Sequence, residues 1–281
     1  MSQRATDIPR LLILPADALV LHEDVDARRV EPLVERLRQD GFLKNPPIAA
    51  PINGALESDG RYVILDGANR TTALWKLDVP HHLVQAVDYQ EVALGTWGHL
   101  VTGIAQSKFS QSLTGAGLEL ESTHLEEARQ RLALRDIAAT VAYPDGQVFA
   151  VLGGGSLAQE TEALRCLVSV YNGRAAIHRV KGDDIAEFLD QYDAVAALVR
   201  FPRYTPDEIV RLADDGHKLP TGITRHIIQG RALRVNLPLS ILMDETRTTQ
   251  QKNDWLHDWI KHKLACREIR YYQESTFLFD E

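Results

Sequence analysis

The run Val63-Ile64-Leu65-Asp66-Gly67-Ala68-Asn69-Arg70-Thr71-Thr72-Ala73-Leu74 forces a change of secondary structure within a few residues. The apolar stretch Tyr62 to Leu65 reads as a buried strand, and the run through Trp75-Lys76-Leu77 reads as a helix that must stop before Pro80. Only a polar turn remains between them. A helix start leaves backbone N–H groups unsatisfied and carries partial positive charge, so it is a natural anion site. Gly67 lets a ligand approach the backbone, Arg70 offers a fork of donors suited to phosphate oxygens, and Asn69, Thr71 and Thr72 add neutral donors. Asp66 is the odd member. A carboxylate beside a phosphate is repulsive unless a cation bridges the two or the carboxylate binds a hydroxyl. Together these residues suggest a nucleotide. A purely structural alternative stays open on the same residues, with Asp66 capping the helix and Arg70 in a surface ion pair.

The surrounding pattern gives this motif a setting. Leu11 to Leu14 is an apolar stretch, and Val30, Leu33, Val34 and Leu37 mark one face of a helix that ends at Gly41. Asn45-Pro46-Pro47 breaks any further helix before a strand from Ile48 to Ile52, a turn around Ser58-Asp59-Gly60 follows, and His82 to Val87 is another strand. Residues 1–105 are therefore expected to form a compact α+β domain. Residues 106–125, rich in Ser, Gly and Thr, are expected to be a loop or linker. Beyond them, Ile137 to Tyr143 and Gln147 to Leu152 flank the turn Pro144-Asp145-Gly146 as a hairpin. A helix from Leu157 to Tyr171, a strand from Ala175 to Val180, a helix from Asp184 to Tyr192 and a strand from Ala194 to Arg200 then alternate, which predicts a second α/β domain over 126–281. A helix from Thr246 to Cys266 closes the chain, with Trp255 and Trp259 on one core or docking face.

Several functional classes are disfavoured. With 281 residues, 44% of them hydrophobic and 25% charged, the chain has the composition of a soluble globular protein. No apolar run approaches the roughly 20 residues a membrane span needs, and MSQRATDIPR lacks the apolar core of a signal peptide, so a cytoplasmic location and no membrane partner are expected. The net charge of -8, with no dense Lys/Arg block, disfavours nucleic acid. Cys166 and Cys266 have no ligand spacing and read as buried small hydrophobes.

Other clusters are weaker. Gly153-Gly154-Gly155-Ser156 lacks the ending of a P-loop and the spacing of a dinucleotide fold, and reads as a strand-to-helix turn with Ser156 as N-cap. His81 and His82 point to opposite faces of a strand and cannot easily share a metal, so they read as surface or half-buried. His22-Glu23-Asp24-Val25-Asp26 is either a solvated loop before a helix or a carboxylate placed to accept a proton or hold Mg2+. Lys218-Leu219-Pro220-Thr221-Gly222-Ile223-Thr224-Arg225-His226 is either a polar turn or a clamp for a carboxylate or phosphate.

The order of these segments resembles the ParB/sulfiredoxin-like superfamily over residues 10–105. Sulfiredoxin chemistry needs a cysteine where Ala68 and Asn69 stand, and the partition proteins carry a different motif and a helix-turn-helix domain. The free L-serine kinase branch is the most similar. The likeness rests on His22-Glu23-Asp24-Val25-Asp26, Leu65-Asp66-Gly67-Ala68-Asn69-Arg70, Thr96-Trp97-Gly98-His99-Leu100 and Lys218 to Arg225. The archaeal members carry histidines where Ala68 and Asn69 stand.

This resemblance implies transfer of a phosphoryl group from ATP or ADP to the hydroxyl of free L-serine, giving O-phospho-L-serine. Glu23 would be the base, and Glu23 and Asp66 the catalytic carboxylates and Mg2+ ligands. Gly67, Asn69, Arg70, Thr71 and Thr72 would hold the nucleotide. Arg225, Thr224 and Thr221 would hold the serine carboxylate, with Trp97 and His99 as walls. The alternative is a ParB-like nucleotide-binding regulatory protein without kinase activity.

Overall fold

A computed structural model describes residues 8–271 apart from 55, 57–59 and 154. The turn expected at Ser58-Asp59 lies outside the described residues. The chain divides into two compact units, one made of Met1–Leu19, Ala27–Asp88 and Ile228–Glu281, the other of Val20–Asp26 and Tyr89–Ile227. Each unit draws on segments far apart in sequence, where a contiguous division into 1–105 and 126–281 was expected.

In the first unit the chain opens with β1 (Leu11–Pro15) and reaches β2 (Leu19–Leu21), along which it leaves the unit. It returns as α1 (Ala27–Asp40), followed by β3 (Phe42–Leu43), β4 (Ile48–Pro51), β5 (Tyr62–Asp66), α2 (Ala68–Lys76) and β6 (His81–Ala86). The sheet runs β1-β6-β4-β5-β2. β4 pairs parallel with β6 and antiparallel with β5, so β5 ends beside the start of β4, with Asp66 opposite Ile48. Tyr62 to Leu65 are all buried, as an inner strand requires. Val30, Val34 and Leu37 form the buried stripe of α1, each contributing about 1.5–3 kcal/mol if fully removed from water. Gly41 ends that helix at φ 71, where a side chain would be strained.

In the second unit, β7 (Ala93–Thr96), β8 (Gly98–Thr102), α3 (Gln106–Gly115), β9 (Leu120–Thr123), α4 (Leu125–Ala133), β10 (Ala139–Ala142) and β11 (Val148–Val151) follow one another. Then come α5 (Leu157–Ser169), β12 (Ala176–Val180), α6 (Ala186–Leu189), β13 (Val195–Arg200), α7 (Pro206–Asp214) and β14 (Thr224–Ile227). Six strands form one sheet in the order β12-β8-β13-β10-β11-β9, with antiparallel pairs throughout. Residues 106–125, expected as linker, carry α3 and β9; buried Phe109 and Leu113, four apart, supplied the helical period that the polar composition masked. Ser156 caps α5 by accepting from the Gln159 N–H, as expected.

The chain then re-enters the first unit. β15 (Leu237–Pro238) pairs with β3, and α8 (Leu239–Met243) and α9 (Thr249–Ala265) follow. Thr248 and Gln251 form a reciprocal capping box at the start of α9. Asn253 fastens this helix to β1, accepting from the Ile13 N–H at 2.9 Å and donating to the Ile13 carbonyl at 2.7 Å. Trp255 and Trp259 stack at 5.9 Å and are half-buried.

Two expectations need correction. His82 is fully buried, because it faces the interior of β6 beside Trp75. Cys266 is exposed and Cys166 half-buried, since Cys266 falls just past the last turn of α9.

Candidate active site

Each unit carries one cluster of functional side chains. In the first, β5 delivers Asp66 and α2 begins two residues later, with Gly67 as its N-cap at φ 92. A Cβ on Gly67 would lie 2.9 Å from Arg70 Nη2 and 3.1 Å from the Pro47 Cα, so the turn closes this tightly only with glycine. No side chain caps α2. A helix start without a side-chain cap turns its positive end towards a ligand, the property that makes it an anion site.

Asp66 sits between two guanidinium groups, 2.5 Å from Arg231 and 3.5 Å from Arg70. Burial works to raise the Asp66 pKa, but the charges of Arg231 and Arg70, with hydrogen bonds from Arg231 and the Gly67 N–H, outweigh it and hold the carboxyl below its usual value. Asp66 is therefore ionised at neutral pH. Thr71 and Thr72 turn their hydroxyls back onto the carbonyls of Gly67 and Ala68, at 3.2 and 2.9 Å. Thr71 is fully buried, while Asn69, Arg70 and Thr72 are partly exposed.

Arg231 was not found from sequence. It belongs to the segment after Ile228, held in place by Gln85, which donates to the Gly230 carbonyl and accepts from the Ala232 N–H, and by Asn45, which accepts from the Arg234 N–H. A lone Arg in Gln229-Gly230-Arg231-Ala232 carries no local pattern; only the fold joins it to Asp66.

In the second unit, Glu23 forms a parallel bridge with Leu219, and Glu23 Oε2 accepts the Gly222 N–H at 3.1 Å. The acidic patch and the Lys218 to His226 segment, distant in sequence, are thus neighbours. Gly222 is buried at φ 82, and its carbonyl accepts from His99 Nε2 at 3.1 Å. That acceptor fixes the proton on Nε2, leaving Nδ1 to accept from the Tyr171 hydroxyl at 2.9 Å. Burial, with the nearby Arg179 charge, lowers the His99 pKa to about 4 against the opposing hydrogen bond to Gly222. His99 is thus a neutral side chain with both ring nitrogens hydrogen-bonded.

Thr224 is also occupied, its hydroxyl 2.8 Å from His22 Nε2. β14 pairs with β7, which sets Thr224 opposite Thr96 and Arg225 opposite Gly95. The Arg225 guanidinium lies 4.7 Å from the centre of the Trp97 ring, a cation–π pair that holds both side chains at the end of β7. Thr221 is partly exposed at the turn before Gly222. The structure thus gathers Glu23, Thr221, Thr224, Trp97, His99 and Arg225 in one unit, and Asp66, Gly67, Asn69, Arg70, Thr71 and Thr72 in the other. Among the described residues no group of three or more His, Cys, Asp or Glu side chains is arranged to hold a metal, and no helix is long and apolar enough to cross a membrane.

A glycine turn thus joins a buried strand to a helix without a side-chain cap, on a five-stranded mixed sheet of an α+β chain. No protein-family model matches the chain. It is 24% identical over 275 residues to the ATP-dependent L-serine kinase SbnI of Staphylococcus aureus, covering 96% of this chain and 97% of that protein. It is 20% identical to an ATP-dependent L-serine kinase of Staphylothermus marinus, covering 82% and 90%. Among solved structures, a C-terminally truncated SbnI matches with TM-score 0.67 and 21% identity over 92% of this chain and 97% of the other. A free serine kinase in complex with AMP matches with TM-score 0.69 and 21% identity over 85% and 98%. The chain has the fold of the free serine kinases over most of its length.

Proposed function

We propose that this chain is a free L-serine kinase that uses ATP. The observation that carries the reading is the turn Asp66 to Arg70, with an uncapped helix start, a glycine that cannot be replaced without a clash, a guanidinium and an ionised carboxylate together. Two relatives named as ATP-dependent L-serine kinases, aligned along most of both chains, support it.

Phosphoryl transfer needs positioning, neutralisation of charge and a base at the attacking hydroxyl. The first N–H groups of α2 and Arg70 bind phosphate oxygens, with Gly67 allowing the close approach and Asn69 and Thr72 at its rim. Thr71 shapes the helix start from inside, its hydroxyl already spent on Gly67.

Mg2+ in such sites takes one or two carboxylates and completes its shell with water and phosphate oxygens. Ionised Asp66 would hold such an ion in exchange for one of its guanidinium contacts, and the bound ion would supply neutralisation of phosphate charge. Glu23 is the base. The Gly222 N–H holds one of its oxygens, and the other accepts the serine hydroxyl proton as the oxygen–phosphorus bond forms and the bond to the departing ADP breaks. Trp97 and Arg225 form a rigid wall for the small acceptor.

Glu23→Ala tests this assignment. Turnover should fall by 10²–10⁴-fold with nucleotide affinity unchanged, the range typical of a lost general base. Unchanged turnover would remove Glu23 from the chemistry.

A further inference from the structure

Three residues from distant parts of the chain converge on Gly222 in the second unit. Glu23 takes its N–H, His99 takes its carbonyl, and the Arg179 side chain occupies the space where a Cβ would be. An ideal Cβ on Gly222 would stand 2.6 Å from both Nε and Nη2 of Arg179 and 2.8 Å from its Cζ. Such contact is possible only at glycine, whose φ of 82 also excludes an ordinary side chain. Arg179 comes from β12, the edge strand of the six-stranded sheet, directly opposite His99 of β8.

The guanidinium is thus seated against a buried glycine, yet it makes no hydrogen bond or ion pair among the described residues. Near it, Asp24 pairs with Arg165 at 3.6 Å, Glu23 accepts from the Gly222 N–H, and Arg225 lies on Trp97. Arg179 presents a planar fork with unclaimed donors, beside the glycine that holds the proposed base. The ligand chemistry such a fork suits is an oxyanion, and a carboxylate above all, because it takes two parallel hydrogen bonds.

We propose that Arg179 is a substrate-binding residue that takes the carboxylate of the amino-acid acceptor, the role Arg225 was expected to play. The proposal rests on the kinase reading. It explains how a free amino acid is selected over a plain alcohol: Glu23 receives the hydroxyl, and Arg179 fixes the other end of the molecule from the same glycine. Arg225, stacked on Trp97, builds the wall.

Steady-state kinetics of the full chain with L-serine test it, with serinol, which replaces the carboxylate by a hydroxymethyl group, scored as acceptor or as competitor. Arg179→Gln should raise the KM for L-serine about 10- to 100-fold, the range for a lost charge-assisted hydrogen bond, with kcat little changed. Serinol should be handled equally by both chains, which also shows that the variant is folded. Arg179→Lys should recover part of the loss. An unchanged KM for L-serine, or an equal loss with serinol, would overturn the proposal. A wild-type chain that leaves L-serine untouched would overturn the kinase reading and this assignment with it, an outcome recognisable without any variant.

Discussion

Gly67 and Gly222 are the two positions at which single atoms decide the chemistry. Gly67→Ala would strain a backbone at φ 92 and push a methyl to 3.1 Å from the Pro47 Cα and 2.9 Å from Arg70 Nη2. Backbone at Pro47 cannot yield as a side chain can. The expected result is a loss of about 1–3 kcal/mol in stability, read as a lower thermal midpoint, together with weaker nucleotide binding as Arg70 is displaced. Unchanged midpoint and affinity would show that the turn does not need its glycine. At this scale the sequence was informative about the cradle: Asp66, Gly67 and Arg70 are contiguous, and the physics of a helix start acts within one turn. It was uninformative about Arg231 and Arg179, since pairing across many tens of residues leaves no local pattern. Nor did any local pattern show that His99 and Thr224 hydrogen-bond to Gly222, Tyr171 and His22 inside the fold.

At the scale of elements, β6 carries a cost that pH exposes. His82 is fully buried with neither ring nitrogen in a well-formed hydrogen bond, and burial lowers its pKa from 6.5 to about 4. The folded chain keeps this ring neutral while the unfolded chain protonates it near 6.5. Unfolded molecules therefore bind more protons between those values, and stability falls as pH falls from 6.5 towards 4. For one such group the loss between pH 7 and pH 5 is about 2 kcal/mol. His82→Leu, similar in volume and free of a titrating nitrogen, should remove that share. Urea unfolding of both chains at pH 7 and pH 5 measures it; equal losses in the two chains would contradict the account. Periodicity predicted α1, α2, α5 and α9 well because each buries one face, and β5 was legible as a continuous apolar run because it is buried on both. It did not reveal α3, whose two buried residues stand among Ser, Gln and Thr.

For the whole molecule, sequence order proved a poor guide to assembly. The segment after Ile228 returns to the first unit, where β15 pairs with β3 and α9 docks on β1 through Asn253. Short local patterns cannot encode such a return, because the pairing energy lies in contacts between segments far apart in sequence, 240 residues in the case of Asn253 and Ile13. The motif order was nevertheless enough to indicate the fold, which solved structures of free serine kinases share over most of this chain. The central claim is that the chain phosphorylates free L-serine. Phosphorus NMR of the purified chain with L-serine, Mg2+ and either ATP or ADP tests it most directly. The account predicts a serine-dependent O-phosphoserine resonance with ATP; nucleotide binding without that resonance, from either donor, would contradict it.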